Sequence, residues 1–368
     1  MGIVGKFDYE PTKLEAETIK NLLSPEDEEM SRIREENYRQ EINIYEKFKT
    51  EIDRHSERRQ PSVAERDRMD RDLVALGKLF EGSSLYWHLD GAINVSLQTG
   101  DYVGVHKDID ITVELAELQA MDELLHARGY GIFQTSQVDG RERGMRSAKR
   151  IGAGTYHPRE GHLTIFAIDK NGKIDNSRDL SFIDVHTVRR NEDGEMVGYA
   201  GVLLPEEWSQ TTEVDFRGYA IRTEHPAEHA YFKLHFGRKY DLEDLKILVK
   251  AGKVFSSELD VIQTLVDEER RRYDVAAQET ASALAVVLHP EMTVGEIANT
   301  LLDQPFISAR VDDVHAREYA TRLQALLGGG TDLSVSTLKG YIEHVFKVRE
   351  THESMAYRLE ELKKLANK

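Results

Sequence analysis

Apolar positions recur every three to four residues toward both ends of the chain and every second residue in its middle, the spacings of helix and strand faces. A short helix is expected over Leu14 to Leu22. Ser24-Pro25-Glu26 supplies a cap, a proline for the first helical position and an acid for the first turn, predicting a helix to about Arg59. Its single stripe is Tyr38, Ile42, Tyr45, Phe48 and Ile52, which suits a solvated helix packed by one face or one strand of a dimerising coiled coil. Gln60-Pro61 ends it, and Ser62-Val63-Ala64-Glu65 has the form of a capping box for a second helix carrying Met69, Leu73, Leu76 and Phe80. From Leu85 to about Leu248 strand and helix patterns mix. Strands are expected at Leu85 to Leu89, Asp108 to Val113, Tyr130 to Thr135, His162 to Ile168, Leu180 to Val188 and Val214 to Arg222. Helices are expected at Ala92 to Leu97, Leu115 to Arg128 and from Pro226, with a hairpin turn at Asn171-Gly172. Beyond about Ser256 the pattern is helical, opened by Ser257-Glu258-Leu259-Asp260 and Thr293-Val294-Gly295-Glu296, and Gly328-Gly329-Gly330 separates the last pair. The expected fold class is α/β of the α+β kind. N-terminal helices (1–81) precede a mixed-sheet core (82–253) and a C-terminal helical domain (254–368).

Composition narrows the function. The 368 residues include 49 Lys+Arg and 66 Asp+Glu, a formal charge of −17. That balance opposes general nucleic-acid binding, so an RNA partner would need a local basic patch. With 0 Cys there is no disulfide, thiolate-metal site or cysteine nucleophile, which fits a cytoplasmic protein. No apolar run reaches the ~20 residues of a membrane span, and the first residues show no signal-peptide pattern.

Asp108 and Asp110 lie two apart on an expected strand, so both project from one face. Carboxylates so crowded repel unless a cation or a proton intervenes, and a hard divalent ion such as Mg2+ takes oxygen ligands shared with substrate phosphates. Upstream, Gly91 stands between a strand and a helix, where backbone approaches a phosphate closely and the helix N-terminus favours anions. A third acid, Asp184, follows in LSFIDVHTV on the face of Phe182 and His186. Arg141, Arg143, Arg146, Lys149 and Arg150 form a basic segment, either a solvated loop or a holder for a polyphosphate or RNA. His225, Glu228 and His229 match the H-x-x-E-H spacing of a zinc hydrolase, though Pro226 places His225 at or before the helix start.

These residues together resemble the polymerase-beta-type nucleotidyltransferase superfamily. They are most similar to the lincosamide and aminoglycoside nucleotidyltransferases and the toxin-type nucleotidyltransferases. The resemblance is carried by Leu89-Asp90-Gly91-Ala92, His106-Lys107-Asp108-Ile109-Asp110 and Ile183-Asp184-Val185-His186, with Lys233 in YFKLHF and Asp241 to Leu248 behind them. It implies a nucleotidyltransferase-type core in which Asp108, Asp110 and Asp184 hold Mg2+, one ion or two. The substrate would be ATP or another nucleoside triphosphate, and the acceptor a small molecule, tRNA or protein. Asp184 would complete the second metal site or act as base. Gly91, Ala92, Lys233, Arg143 and Arg146 would meet the triphosphate. The family usually has Gly-Gly or Gly-Ser at the turn, where this chain has Asp90 before Gly91 and Ala92 after it. A protein that keeps the fold and binds without catalysing is therefore the alternative. A homodimer through the N-terminal helices is the alternative to packing their apolar stripe within one subunit.

Overall fold

The structure is a computed structural model that describes residues 39–43, 59–137, 145–151, 162–308, 313–329 and 333–367. Its strands are β1 (Arg39–Asn43), β2 (Trp87–Asp90), β3 (Asp110–Glu114), β4 (Tyr130–Gln137), β5 (Met145–Arg150), β6 (His162–Ala167), β7 (Phe182–Arg190), β8 (Met196–Val197), β9 (Thr212–Phe216) and β10 (Tyr219–Thr223). The helices around them are α1 (Val63–Phe80), α2 (Gly91–Thr99), α3 (Leu118–Ala127), α4 (Pro226–Phe236), α5 (Lys239–Lys250) and α6 (Ser256–Val287). Next come α7 (Val294–Leu302), the single turn α8 (Pro305–Ser308), α9 (Asp313–Gly328), α10 (Val335–Val345) and α11 (Val348–Ala366). The fold is mixed α/β with a helical C-terminal region. Among the described residues no helix is long and apolar enough to cross a membrane.

The sheet runs in the order β1-β5-β4-β6-β7-β3-β2-β10-β9, with β8 on the end of β7. Neighbours are antiparallel except β7 beside β3 and β10 beside β2. Alternation along the central strands gives the sheet two unlike faces. Trp87, Leu89, Ile111, Val113, Ile183 and Val185 point to one apolar core, which α1 covers with Leu73, Leu76 and Leu79 and α3 with Leu118, Met121 and Leu125. The other face carries the polar side chains of the same strands and lies toward α2 and α4. Beyond it a second apolar cluster joins Val95, Trp208, Tyr231 and Leu248 to the first half of α6 and to α11. The second half of α6 buries Tyr273, Ala277 and Leu284 against α7, α9 and α10.

Capping set two helix starts as the sequence predicts. Ser62 Oγ accepts from the Glu65 amide, and Glu65 Oε2 accepts from the Ser62 amide at 2.8 Å. Thr293 and Glu296 repeat the exchange at α7. The expected hairpin joins antiparallel β6 and β7 through a turn in which the Gly172 amide donates to Asp169 O.

Three expectations are corrected. The helix expected to reach Arg59 is instead strand at Arg39–Asn43, where the backbone pairs antiparallel with β5. Sheet hydrogen bonding overrides a local helical preference that is weak to begin with. The rest of that expected helix, the helix over Leu14 to Leu22 and the dimer built on them lie outside the described residues. The basic segment is no solvated loop from Met145 onward. It is β5, paired on both edges. The single strand expected over Val214 to Arg222 is the hairpin β9–β10, turned at Arg217 (φ 55°) and Gly218 (φ 86°).

Arg150 in β5 is buried. Its guanidinium donates to both oxygens of Asp122 at 3.0 and 3.1 Å, and Asp122 also accepts from the Ile132 amide. Removing the carboxylate would take from a buried cation both hydrogen bonds that Asp122 accepts. Asp122→Ala should therefore cost about 3 kcal/mol of unfolding free energy in a denaturant titration, while an exposed neighbour such as Glu123→Ala should cost under about 0.5 kcal/mol.

Candidate active site: a row of acids across the sheet

Strand register builds the site. Asp90 lies opposite Asp110, Asp110 opposite Asp184, and Asp184 opposite Thr164. Two residues along each strand a second row follows, with His88 opposite Thr112 and Thr112 opposite His186. Both rows occupy the polar face. The ladder continues past the start of β3, because the Asp184 amide donates to Ile109 O at 2.9 Å. That bond holds the segment carrying Asp108 beside β7.

The electrostatics follow from crowding. Burial, then the Asp108 carboxylate, with Asp184 and Asp90 behind it, push Asp110 up to about 8 against the pull of His186. Burial and Asp108 likewise raise Asp184, while Arg146, His186 and a 3.1 Å hydrogen bond from Thr164 Oγ1 oppose them. The Asp108 charge thus acts on both Asp110 and Asp184, and the three acids crowd one place on the sheet.

Gly91 fits this group by shape. Its φ is +69°, left-handed backbone that suits glycine, and a Cβ there would overlap Oδ2 of Asp110. The close approach of the turn to the acids thus needs a residue without a side chain. The Gly91 amide donates to Asp90 Oδ1 at 2.5 Å. Ala92 is buried as the second residue of α2.

Asp90 does not present a bare charge. Burial alone would raise it, but hydrogen bonds from His186 and His229 outweigh burial and hold it well below the usual carboxylate range. His186 Nδ1 is 2.6 Å from Oδ2 and His229 Nδ1 is 3.3 Å from Oδ1.

The other residues named from sequence are placed differently. Arg146 is half-buried on β5, and its charge reaches Asp184. Arg143 lies outside the described residues. Lys233 is buried, with Nζ 2.9 Å from Asp244 and 3.5 Å from Asp241, and these carboxylates raise its pKa against the opposing effect of burial. The charge that the resemblance assigns to a phosphate is engaged here by acids of α5.

The H-x-x-E-H zinc constellation does not assemble. His225 is the N-cap of α4, its Nδ1 accepting from the Ala227 amide at 3.2 Å, and its ring stacks on Trp208. His229 turns instead toward Glu224 and Asp90. The sequence reading missed Glu224, His88 and the pairing of His186. Period-two alternation carries the signal for two of them, since His88 must share a face with Asp90 and His186 with Asp184.

No family model matches the chain, and no curated protein does. Among solved structures it is similar to the lincomycin-bound lincosamide antibiotic adenylyltransferase LnuA, with 18% identity over 48% of this chain and 94% of that one, at a TM-score of 0.31. It is also similar to ANT(2")-Ia in complex with adenylyl-2"-tobramycin, with 11% identity over 56% and 98%, at a TM-score of 0.34. An antigenic nucleotidyltransferase-like protein from Paracoccidioides brasiliensis gives 10% identity over 50% and 76%, at 0.30. Overlap this loose carries no weight for activity.

A carboxyl whose folded pKa is raised binds its proton more tightly in the folded chain. Its contribution to stability is complete below the ordinary carboxylate range and is lost as pH climbs through about 8. In chelator-treated protein, the melting temperature should therefore fall from about pH 4 to about pH 8 and level off above that. Asp110→Asn should make that fall shallower, and an unchanged slope in the variant would contradict the crowding.

Proposed function

We propose that the chain is a metal-dependent nucleotidyltransferase that moves a nucleoside monophosphate from a triphosphate to an acceptor hydroxyl or phosphate, releasing pyrophosphate. The observation that carries this reading is the alignment of Asp110 with Asp184 on parallel neighbours, with Gly91 packed on the Asp110 carboxylate. The donor set fits the implied ion: three crowded oxygen-bearing acids, two of them with raised affinity for positive charge, suit Mg2+ and a polyphosphate. Bound there, Mg2+ would neutralise phosphate charge and clamp the attacking and leaving oxygens.

The residues then divide the work. Asp108 and Asp110 hold the ion from β3 and the segment before it. Asp184, oriented by Thr164, takes the proton as the acceptor oxygen attacks the α-phosphorus and the bond to the pyrophosphate oxygen breaks. Its raised pKa makes it a better proton acceptor than an ordinary surface aspartate. The Gly91 turn lets backbone approach the triphosphate, and Arg146 with Arg143 supplies positive charge on the β5 side. The Asp90 carboxylate that occupies the Gly91 amide favours a second reading, a chain that binds nucleotide without transferring it.

Incubation with each α-labelled triphosphate, Mg2+ and cell extract separates the two. Transfer of label to a small molecule, RNA or protein names the acceptor class, and Asp108→Asn should lower transfer by about 100-fold or more. No transfer together with a Mg2+-dependent rise in melting temperature would select the binding reading. Gly91→Ala must strain the backbone by about 1 kcal/mol and displace Asp110. It should cost transfer about 100-fold while circular dichroism stays that of a folded chain.

A further inference from the structure

Beside the acidic row lies a second polar cluster that nucleotidyl transfer does not use. It forms where β10 runs parallel to β2, with Thr223 opposite Leu89. That pairing brings Glu224, the residue after β10, next to Asp90 at the end of β2. His229, one turn into α4, closes the group. Its Nδ1 is 2.5 Å from Glu224 Oε2 and 3.3 Å from Asp90 Oδ1, and one ligand atom from each of the three lies within 4.8 Å of the others. Glu224 is 2% exposed and His229 1%.

A separate observation points to a missing positive partner. Glu228, also on α4, is 1% exposed, and neither of its carboxylate oxygens has a hydrogen-bond partner. It lies over the same face of β2 as Asp90, because it meets His88, two residues before Asp90 on that strand. His88, fully buried, has an unpartnered Nε2 at 3.9 Å from Glu228 Oε1. Two buried carboxylates and the half-buried Asp90 therefore meet, among the described residues, only imidazoles at ion-pair distance. Ionised carboxylates left in that state are costly unless a cation or a proton joins them.

We propose that Asp90, Glu224 and His229, with the unpartnered Glu228 beside them, form a binding site for one divalent transition-metal ion of the zinc or manganese class. Imidazole nitrogen with carboxylate oxygens and no thiolate is the donor set such ions take. The Asp90 oxygen turned away from the group accepts from His186 at 2.6 Å, the kind of outer contact that orients a metal-ligating carboxylate. An ion here would tie β2, β10 and α4 together at the root of the Gly91 turn. It would be structural and independent of the Mg2+ proposed for Asp108, Asp110 and Asp184, so an inactive chain that holds it leaves this inference standing.

Metal analysis of the full chain after exhaustive buffer exchange tests it. About one zinc or manganese ion per chain should remain, and Asp108→Asn should retain it. His229→Gln and Glu224→Gln should weaken zinc affinity by more than about 100-fold. Cobalt substituted into the wild type should give a visible spectrum that Glu224→Gln alters. Should the variants not fold, the wild type alone decides: zinc added after chelation must raise its melting temperature and displace the cobalt spectrum. The inference is overturned if the folded wild type binds neither metal at micromolar concentration, if His229→Gln keeps the ion, or if Asp108→Asn loses it.

Discussion

Mutual repulsion among carboxylates, held in place by strand register, is the constraint on which the site depends. Backbone pairing fixes Asp90, Asp110 and Asp184 in one row, and side chains cannot escape that row without breaking the ladder. The strands are held by an apolar face that packs Leu89, Ile111 and Val185 under α1 and α3. The hydrophobic energy of one face thus maintains an unfavourable charge arrangement on the other, as functional sites commonly require. A one-residue slip would exchange the faces, placing isoleucine and valine in the cleft and aspartate in the core.

The polar face manages its charge in three different ways. Asp110 is protonated more readily because burial and neighbouring acids raise it. Asp90 stays ionised because two imidazoles donate to it. Lys233 is surrounded by Asp241 and Asp244, forming a buried pair that joins α4 to α5. Further out, Glu269 of α6 is held by His235 of α4 at 2.8 Å and by Tyr231. This link lies between the two apolar halves of α6. The helical C-terminal region therefore meets the sheet through polar contacts as well as through packing.

Much of this was legible in the residues. Ser62 with Glu65 and Thr293 with Glu296 marked their helices because a capping box is local. Asp108, Asp110 and Asp184 were legible because period-two spacing and a glycine turn are also local. What escaped depends on partners distant in sequence. Arg39–Asn43 becomes strand only because β5 offers an edge. Arg150 is structural only because Asp122 meets it from α3. Glu224 gains meaning only once β10 lies beside β2. Arg217-Gly218 was a local turn signal passed over, and reading it would have divided one expected strand into the hairpin.

Asp90 joins the glycine turn, the acidic row and the imidazoles of His186 and His229. Read as sequence, an acid before the turn glycine opposes a polyphosphate. In the fold its charge is directed inward. Oδ1 accepts from the Gly91 amide and faces His229, while Oδ2 faces His186 and accepts from Thr112 at 3.4 Å. An ionised acid so fully engaged projects less field toward a ligand than a free one, because the imidazoles offset it at contact distance. It also caps α2 in place of a serine or threonine. The departure from the usual turn is thus coupled to His186 and His229, and a chain with Asp90 but without those imidazoles would place an uncompensated charge beside Asp110.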